Sequence, residues 1–352
     1  MVIPAHNEAG SIAATITSLR LQSKPPDEIL VVCDNCTDNT AGIAARLGVR
    51  VIATAGNQDK KAGALNQALS WVLPTLSPDD FVLTMDADSA LSPDWLATAV
   101  DLLSRDKRVG AVCGSFYGEP GCGIIGQIQR NEYVRYARTV QRRGQALVLS
   151  GTGSLFRVRL LRDIARERGN RLPGTRGQIY SQQSITEDDE ITLAAKTLGW
   201  RCMSPAGCGT TTEVMPDARA LYRQRLRWQK GTIADLRVYG ITKVTAFYWL
   251  RQLGIYASLM TSMACVAIIG AGLVEHVGIS IPWTIGITGI AFVERTWTVR
   301  RAGWRGLALA MLVLPELVYD LFRAWVFFNA LRADLLRRDI AWGHLAEAKE
   351  TV

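Results

Sequence analysis

The sequence lacks the second pair of cysteine or histidine residues that would complete a zinc site. It contains seven cysteines, and only Cys33 and Cys36 stand in a C-x-x-C spacing. That spacing is typical of a redox motif or of half a zinc site. Because Cys33 ends an apolar run and no further pair follows, we favour a structural role for both residues. An odd number of scattered cysteines suits a reducing compartment.

A signal-peptide pattern is also missing, because the chain opens on Met1-Val2-Ile3-Pro4, which predicts a strand and a turn. We therefore expect any membrane attachment to come from later segments. The 352 residues are 48% hydrophobic and 20% charged, which predicts about two folded units and argues against disorder. The net charge of +8 is compatible with nucleic acid, an anionic membrane surface or an anionic small substrate as partner.

The first part of the chain alternates short apolar runs with helical patterns. Strands are predicted at Glu28–Cys33, Val49–Ala53 and Phe81–Met85, and helices at 11–21, 40–47 and 63–73. The run from Glu28 to Cys33 is continuous, as in a strand buried on both faces. This order predicts an α/β fold with a mostly parallel sheet. Ligands of such sheets bind beyond the carboxyl ends of the strands, and four acids follow there: Asp34, Asp38, Asp86 and Asp88.

Charged residues are absent from two segments nearer the C-terminus, 253–274 and 277–293, which Glu275 and His276 separate. Their lengths are close to that of a bilayer span, so we predict two antiparallel membrane helices. A pair of buried helices in a soluble protein is the alternative. Four arginines follow: Arg295, Arg300, Arg301 and Arg305. The positive-inside rule places this cluster, and with it the preceding α/β unit, in the cytoplasm.

A third apolar segment, 306–331, carries Glu316, Asp320 and Arg323 at helical spacing. On one helix face these residues could pair with each other. The segment either spans the membrane or lies at its interface, and the arginines beyond it favour the interface. We therefore predict a multi-pass protein of the cell membrane, with a cytoplasmic domain at 1–240 and a membrane region at 241–352 that contacts lipid.

The tripeptide Asp86-Ala87-Asp88 directly follows a predicted strand. Two carboxylates in such a loop provide hard oxygen ligands for Mg²⁺ or Mn²⁺, which substrate phosphates complete. A metal held there stabilises the charge on a departing diphosphate. Acidic loops are common, so this motif alone does not decide the function.

Two more motifs contain polar or charged residues of the types used in catalysis and binding. Thr186-Glu187-Asp188-Asp189 precedes a predicted helix, where acids either favour the helix dipole or present a general base to a sugar hydroxyl. In Gln224-Arg225-Leu226-Arg227-Trp228, Gln224 and Arg227 share a helix face. An arginine can bind a diphosphate, and the tryptophan offers a flat face to a sugar ring. A basic, membrane-facing helix is the alternative.

Taken together, these motifs resemble those of the family 2 glycosyltransferases, in order and in spacing. Four further segments add to the resemblance: Val2–Glu8 (VIPAHNE), Val31–Asp38 (VVCDNCTD), Lys61–Asn66 (KAGALN) and Gly151–Gly153 (GTG). The similarity covers about residues 1–235. It implies that residues 1–240 form a nucleotide-sugar-binding domain of the GT-A type that depends on Mg²⁺ or Mn²⁺.

The resemblance also implies a role for particular residues. Asp188 corresponds to the catalytic base, and Asp86 and Asp88 correspond to the metal-binding residues. The substrate-binding residues that it implies are Pro4, Ala5, Glu8, Asp34, Lys61, Asp86, Gly151, Glu187, Gln224, Arg227 and Trp228. Asn35 and Cys36 stand where an acid and a glycine are common, so either Asp34 or Asp38 could contact the nucleotide base.

The motifs around Asp188 and Trp228 point to the branch that contains the synthases of cellulose, chitin, hyaluronan and poly-N-acetylglucosamine. This sequence has no membrane segment before the catalytic domain and only two or three after it, so transfer of one or a few sugars is as plausible as polymerisation. The implied reaction is inverting transfer of a hexose or N-acetylhexosamine from a UDP-sugar to a hydroxyl of a glycan, lipid-linked or protein acceptor, at the cytoplasmic membrane face.

Two other functions remain open. One is a glycosyltransferase of the same fold that uses polyprenyl phosphate as acceptor. The other is a non-enzymatic basic membrane protein that binds anionic lipid or nucleic acid. Nucleic-acid binding predicts basic residues interleaved with aromatics on a dedicated patch. The basic residues cluster instead around the predicted spans and Gln224–Trp228, so we expect no nucleic-acid partner.

Overall fold

The computed structural model of the protein describes residues 1–275 and 281–336. The strands are β1 (Val2–Ala5), β2 (Leu30–Cys33), β3 (Arg50–Ala53), β4 (Phe81–Thr84), β5 (Ala90–Leu91), β6 (Val109–Cys113), β7 (Ser115–Gly118), β8 (Ser154–Arg157), β9 (Arg201–Met203) and β10 (Gly209–Thr212). The helices are α1 (Ile12–Arg20), α2 (Thr40–Arg46), α3 (Lys60–Val72), α4 (Trp95–Arg105), α5 (Gly123–Arg143), α6 (Val158–Glu167), α7 (Glu187–Thr197), α8 (Ala218–Tyr239), α9 (Thr245–Glu275), α10 (Ile281–Val299), α11 (Gly303–Met311) and α12 (Leu314–Leu335).

A seven-stranded sheet with the order β3-β2-β1-β4-β8-β6-β9 forms the centre of the α/β part. The strands β3, β2, β1 and β4 are parallel, β8 runs antiparallel to both of its neighbours, and β6 and β9 are parallel. A smaller sheet has the order β5-β10-β7. The predicted α/β fold with a mostly parallel sheet is therefore confirmed.

Successive side chains along the central strands point to opposite faces of the sheet, so the core has two layers. Val2, Leu30 and Val32 pack on one face of the sheet, against α3, α6 and α7. Ile3 and Val31 pack on the other face, against α1, α2 and α4. Because both faces are covered, the central strands are buried along their whole length, which explains their continuous apolar sequence.

The helices α8 to α12 pack on one another and on α5. α12 lies along α8 and also contacts α9, and α11 contacts α5. The third apolar segment predicted at 306–331 is not one helix. It is divided between α11 and α12 at Val313, whose φ of +59° lies in the left-handed region that a β-branched residue rarely adopts.

The charged residues of α12 pair with other helices and not with each other, contrary to the prediction. Glu316 is bound by Arg135 of α5, at 2.7 Å, and by Arg295 of α10, at 3.2 Å. Arg295 also binds Asp320 at 2.6 Å. The carboxylates of α12 therefore attach this helix to α5 and α10.

The two predicted membrane spans, 253–274 and 277–293, are not supported by the structure. Within residues 1–275 and 281–336, no helix combines the length and the apolar content that crossing a bilayer requires. The helices that contain these segments extend beyond them: α9 takes in Arg251, and α10 takes in Glu294 and Arg295. Residues 277–280 of the second segment lie outside the described residues.

Candidate active site

A single cavity of about 860 Å³ opens at the carboxyl ends of β1, β2 and β4 and continues between α5, α7, α8 and α12. Every site residue that the sequence predicts lies on its wall: Pro4, Ala5, Glu8, Asp34, Lys61, Asp86, Asp88, Gly151, Glu187, Asp188, Gln224, Arg227 and Trp228. These residues come from segments more than two hundred positions apart. The fold therefore brings the predicted motifs together at one place, and we call this cavity the cleft.

Asp34 lies at the end of β2 with one carboxylate oxygen already occupied. Its Oδ1 accepts hydrogen bonds from the Thr54 hydroxyl, at 2.8 Å, and from the side-chain amide of Asn57, at 2.8 Å. The side chain is buried but borders the cleft. The donors hold Asp34 in one orientation and leave its second oxygen without a protein donor among the described residues.

Asp38, the other acid considered as a contact of the nucleotide base, has a structural role. Its carboxylate accepts from the backbone N–H of Ala9 at 2.9 Å and from the N–H and hydroxyl of Thr40. It therefore ties the start of α2 to the loop before α1, and it does not border the cleft. Of the two acids, the geometry favours Asp34 as the one that faces a ligand.

Lys61 stands at the centre of the cleft, in the first turn of α3. Its Nζ lies 2.6 Å from Oδ1 of Asp86 and 2.6 Å from Oε1 of Glu187. Burial alone would lower the pKa of Lys61, but the two carboxylates outweigh burial and hold that pKa well above its usual value. One fixed cation thus connects the acidic loop after β4 to the start of α7.

Gly151 is the point of closest approach in this arrangement. Its carbonyl accepts from the N–H of Asp86 at 2.9 Å, and its own N–H donates to Oδ2 of Asp188 at 3.3 Å. A Cβ at this position would lie 2.5 Å from Nζ of Lys61 and 3.0 Å from Oδ2 of Asp86. Only glycine leaves room here for the lysine and both acids.

Asp86 and Asp88 present two hard oxygen donors to the cleft, which is the chemistry that Mg²⁺ and Mn²⁺ require. Burial raises the pKa of Asp88 to about 8, with further contributions from Asp86, Glu8 and Glu213. A divalent cation would relieve this crowding of carboxylates, so the residues fit a metal. No group of three or more potential ligands is gathered around one point within the described residues.

Four acids occupy the first turn of α7, and each has a different environment. Glu187 binds Lys61, and the pKa of Glu187 is lowered because that cation outweighs burial. Asp189 is buried against Thr232. Glu190 forms a buried ion pair with Arg168 at 2.5 Å. Asp188 is the only one of the four that is half-buried and not fully buried; it borders the cleft and forms no ion pair among the described residues.

Two protein N–H groups orient Asp188. Asp189 N–H donates to its Oδ1 at 2.9 Å, and Gly151 N–H donates to its Oδ2. Burial of the carboxyl group and the nearby charge of Glu187 raise the pKa of Asp188 to about 7. A carboxylate that is oriented, accessible and poised near neutral pH has the properties of a general base.

The motif Gln224–Trp228 lies on α8, which crosses the start of α7. Gln224, Arg227 and Trp228 border the cleft. The guanidinium of Arg225 lies 4.4 Å from the centroid of the Trp228 ring, binds Glu132 at 2.8 Å and contacts Oε1 of Gln224 at 2.5 Å. Arg225 therefore holds the side chains of the motif in place, and its guanidinium covers one face of the Trp228 ring.

Sequence reasoning missed the buried groups that hold α7 in place. Arg168 pairs with Glu190, which also accepts from the hydroxyl of Tyr239. Asp235 of α8 accepts from the hydroxyls of Ser184 and Thr186 just before α7 begins. The partners are 22 to 51 residues apart, so no local pattern reveals them.

Known proteins similar to this chain include glycosyltransferases. The profile of Glycosyl transferase family 2 matches residues 1–165. A poly-beta-1,6-N-acetyl-D-glucosamine synthase of Staphylococcus aureus is 23% identical over 237 residues, which cover 65% of this chain and 53% of that protein. The same enzyme of Staphylococcus epidermidis is 24% identical over 238 residues, with the same coverage. The chain thus spans about half the length of the curated relatives that it matches.

Among solved structures, a mannosyltransferase from Pyrobaculum calidifontis, PcManGT, in complex with GDP-Man and Mn²⁺, superimposes with a TM-score of 0.62. The alignment covers 96% of this chain and 87% of that protein at 19% identity. This similarity shows that the two proteins share the GT-A-like fold. Residues 1–165, slightly under half of the chain, thus match glycosyl transferase family 2, and the chain is similar to poly-beta-1,6-N-acetyl-D-glucosamine synthases over 237 residues.

Proposed function

We propose that the protein is an inverting hexosyltransferase that moves a sugar from a nucleotide-sugar donor to a hydroxyl group of an acceptor. The observation that carries this proposal is the arrangement around Lys61, where a single cation joins Asp86 to Glu187 and leaves Asp188 accessible in the cleft. The match of residues 1–165 to glycosyl transferase family 2 supports the same reaction class. The sites for donor, leaving group and base then lie within one cavity.

The reaction is a single displacement. Asp188 removes the proton of the acceptor hydroxyl, and the oxygen attacks the anomeric carbon from the face opposite the diphosphate. As the new C–O bond forms, the bond between the anomeric carbon and the diphosphate oxygen breaks, and the nucleoside diphosphate leaves. Configuration at the anomeric carbon inverts, and no covalent enzyme intermediate forms.

The chain supplies positive charge where the diphosphate departs. Lys61 is fixed beside Asp86, and Arg227 borders the same cleft. Fixed cations favour the transition state because they are already oriented when charge develops on the leaving group. A divalent cation held by Asp86 and Asp88 would supply further neutralisation of that diphosphate.

We propose a UDP-linked hexose or N-acetylhexosamine as donor. The curated relatives act as synthases of a polymer of N-acetyl-D-glucosamine, which supports an N-acetylhexosamine. The mannosyltransferase that shares the fold was solved with GDP-Man, so a GDP-linked sugar is the alternative donor to be tested beside the UDP-sugars. A panel of UDP-N-acetylglucosamine, UDP-glucose and GDP-mannose, assayed on purified protein for donor cleavage, tests the proposal. Folded protein that cleaves no donor, with either metal present, would contradict it.

Polyprenyl phosphate is a second candidate acceptor, because arginines border the cleft without a carboxylate partner. Arg223 and Arg251 both line it, and neither forms an ion pair within the described residues. The phosphate of such an acceptor would give these two arginines an anionic partner. Transfer to polyprenyl phosphate but not to oligosaccharides would establish this acceptor, and the opposite preference would exclude it.

We further propose that the protein works at the cytoplasmic face of the cell membrane, attached through its C-terminal helices. Large apolar side chains are exposed there, including Trp297, Trp304 and Trp325, and tryptophan is favoured at membrane interfaces. A cysteine replacing Gly303, in a cysteine-depleted background, should not react with an impermeant reagent in intact cells, but should react once the membrane is permeabilised. Labelling at Gly303 in intact cells would contradict the cytoplasmic location, and recovery of all the protein without membranes would remove the attachment.

A further inference from the structure

A second cavity, of about 370 Å³, lies behind the cleft at the far end of α7. It is formed by the segment after α5, the end of α7, β9 and the start of α9. Tyr248 borders both this cavity and the cleft, so the two are separated by little more than one side chain. The volume is within the range of small-molecule sites.

The wall of this second cavity is positively charged. Arg143, Lys196 and Arg201 line it, and no acidic residue does among the described part of the chain. Arg201 is neutralised from outside the cavity by Asp106, at 2.5 Å. Arg143 and Lys196 form no ion pair with any described residue, so the cavity keeps a net positive charge.

Lys196 is the unusual member of this group because its partners are neutral. Its Nζ donates to the carbonyl of Ala146 at 2.6 Å and to the hydroxyl of Tyr248 at 2.7 Å. Burial lowers the pKa of Lys196, and no adjacent carboxylate reverses that effect. An anion bound beside the ammonium group would stabilise its charged form.

Aromatic rings complete the cavity. The guanidinium of Arg143 lies 5.2 Å from the centroid of the Phe247 ring, and Nζ of Lys196 lies 5.2 Å from that of Tyr248. Trp200 also contributes to the wall. Such a combination of cations and flat apolar surface is suited to a phosphate that is attached to a ring-bearing molecule.

We propose that this cavity is a second ligand site, which binds the phosphate group of a small molecule through Arg143 and Lys196. The site lies outside the cleft and has no part in the displacement described above. Arg201, already paired with Asp106, contributes less to the phosphate than the two unpaired cations.

A ligand bound at this site would affect the cleft through α7 and the segment before Gly151. This consequence rests on the proposed function. Lys196 is on α7, whose first turn carries Asp188. The carbonyls of Ala146 and Leu147 accept from Lys196 and Tyr248, and they begin the segment that leads to Gly151, the residue whose N–H orients Asp188. A phosphate that draws Lys196 away from Ala146 would loosen this segment.

Site-resolved acetylation of lysines in the full-length protein tests the binding without any assay of transfer, so failure of the proposed function would not affect the result. The rate at Lys196 is measured by mass spectrometry against that at Lys24, an exposed lysine. Inorganic phosphate, AMP and adenosine are titrated against chloride at matched ionic strength. Binding should slow the reaction by 1 + [L]/Kd, which is about threefold at twice the Kd.

Arg143→Gln should weaken the protection at least severalfold, whereas Arg142→Gln, at an exposed neighbour that does not line the cavity, should leave it unchanged. Stronger protection by AMP than by phosphate would identify a ring-bearing ligand, and equal protection would identify phosphate alone. The proposal is wrong if chloride protects Lys196 as well as phosphate does, if adenosine protects as well as AMP, or if protection persists in Arg143→Gln.

Discussion

At the scale of single residues, the three acids Glu187, Asp188 and Asp189 are adjacent in sequence but differ in their surroundings. A helix-dipole role would make them interchangeable, at about 0.3–1 kcal/mol of stability each. The structure separates them instead, because Glu187 is paired with Lys61, Asp189 is buried and Asp188 is accessible. Only Asp188 can reach an acceptor hydroxyl without breaking a contact that the fold uses.

Asp188→Asn should therefore lower the transfer rate by about 10²–10⁴-fold, the usual contribution of a general base. The amide keeps the shape of the side chain, so donor affinity and melting temperature should remain close to those of the wild type. Asp189→Asn is the matched control and should transfer sugar at a nearly normal rate. Initial rates and donor binding measured for both variants decide the assignment, which fails if Asp189→Asn is the inactive one.

The pH dependence of transfer should report the same residue. The pKa of Asp188 is raised to about 7 by burial and by Glu187, and a general base acts only when it is deprotonated. We therefore expect kcat/KM to fall about tenfold for each pH unit below 7 and to level off above it. The profile is measured at saturating metal, with Asp189→Asn as control. A wild-type profile that stays flat down to pH 5 would remove Asp188 from this role.

At the scale of secondary-structure elements, α7 and α8 cross at Gly231. A Cβ at this position would lie 2.3 Å from Oγ1 and 2.5 Å from Cγ2 of Thr186, the residue immediately before α7. Thr186 is buried and bound to Asp235, so it cannot turn aside easily. The close approach of the two helices sets the position of the first turn of α7, and with it the position of Asp188.

Gly231→Ala should lower the free energy of unfolding by about 1–3 kcal/mol, as for overpacking of a filled core, and should also reduce kcat by displacing Asp188. Gly254→Ala provides the control, because a Cβ at that helical position meets nothing within 4 Å. Chemical denaturation and initial rates are measured for both variants. If Gly231→Ala is as stable and as active as Gly254→Ala, the contact with Thr186 does not position α7.

Most of the elements in the first 85 residues could be predicted because their signals are local. β2 was predicted at Glu28–Cys33 and is found at Leu30–Cys33, and α1 differs from its prediction by one residue at each end. The strands β5, β7 and β10 escaped prediction, since they are only two to four residues long and pair across gaps of about 90 residues or more. The hydrophobic periodicity of the sequence likewise does not reveal helix–helix contacts such as that of Glu316 with Arg135.

The residues that line the cleft could be named from the sequence for a different reason. Its motifs each combine residue types that have a chemical use, and the resemblance to family 2 assigned roles to them. The residues that escaped prediction are those that hold other side chains in position. Arg225 stands inside a predicted motif, yet only the structure shows it against Trp228 and Glu132. Arg168 lies in no motif and holds α7 through Glu190.

At the scale of the whole molecule, we predict that activity depends on a divalent metal. Chelation with EDTA should abolish donor cleavage, and excess Mn²⁺ or Mg²⁺ should restore it, because Asp86 and Asp88 lie together in the cleft and the pKa of Asp88 is raised to about 8 by burial and neighbouring acids. Binding of Mn²⁺, followed by electron paramagnetic resonance in the presence of donor, should be lost in Asp88→Asn. Full activity in excess chelator would contradict the role given to both acids.

The cleft draws its walls from residues as far apart in the chain as Pro4 and Phe327. A ribosome releases β1 early and α12 late, and at the usual rate of roughly 5–20 residues per second the interval between them is about 15–65 s. Once Arg225 has been synthesised, it and Glu132 still lack α12, the helix that packs over them and carries Tyr319 and Arg323. A growing chain therefore holds most residues of the cleft before it can catalyse transfer, and we expect activity only after α12 has docked.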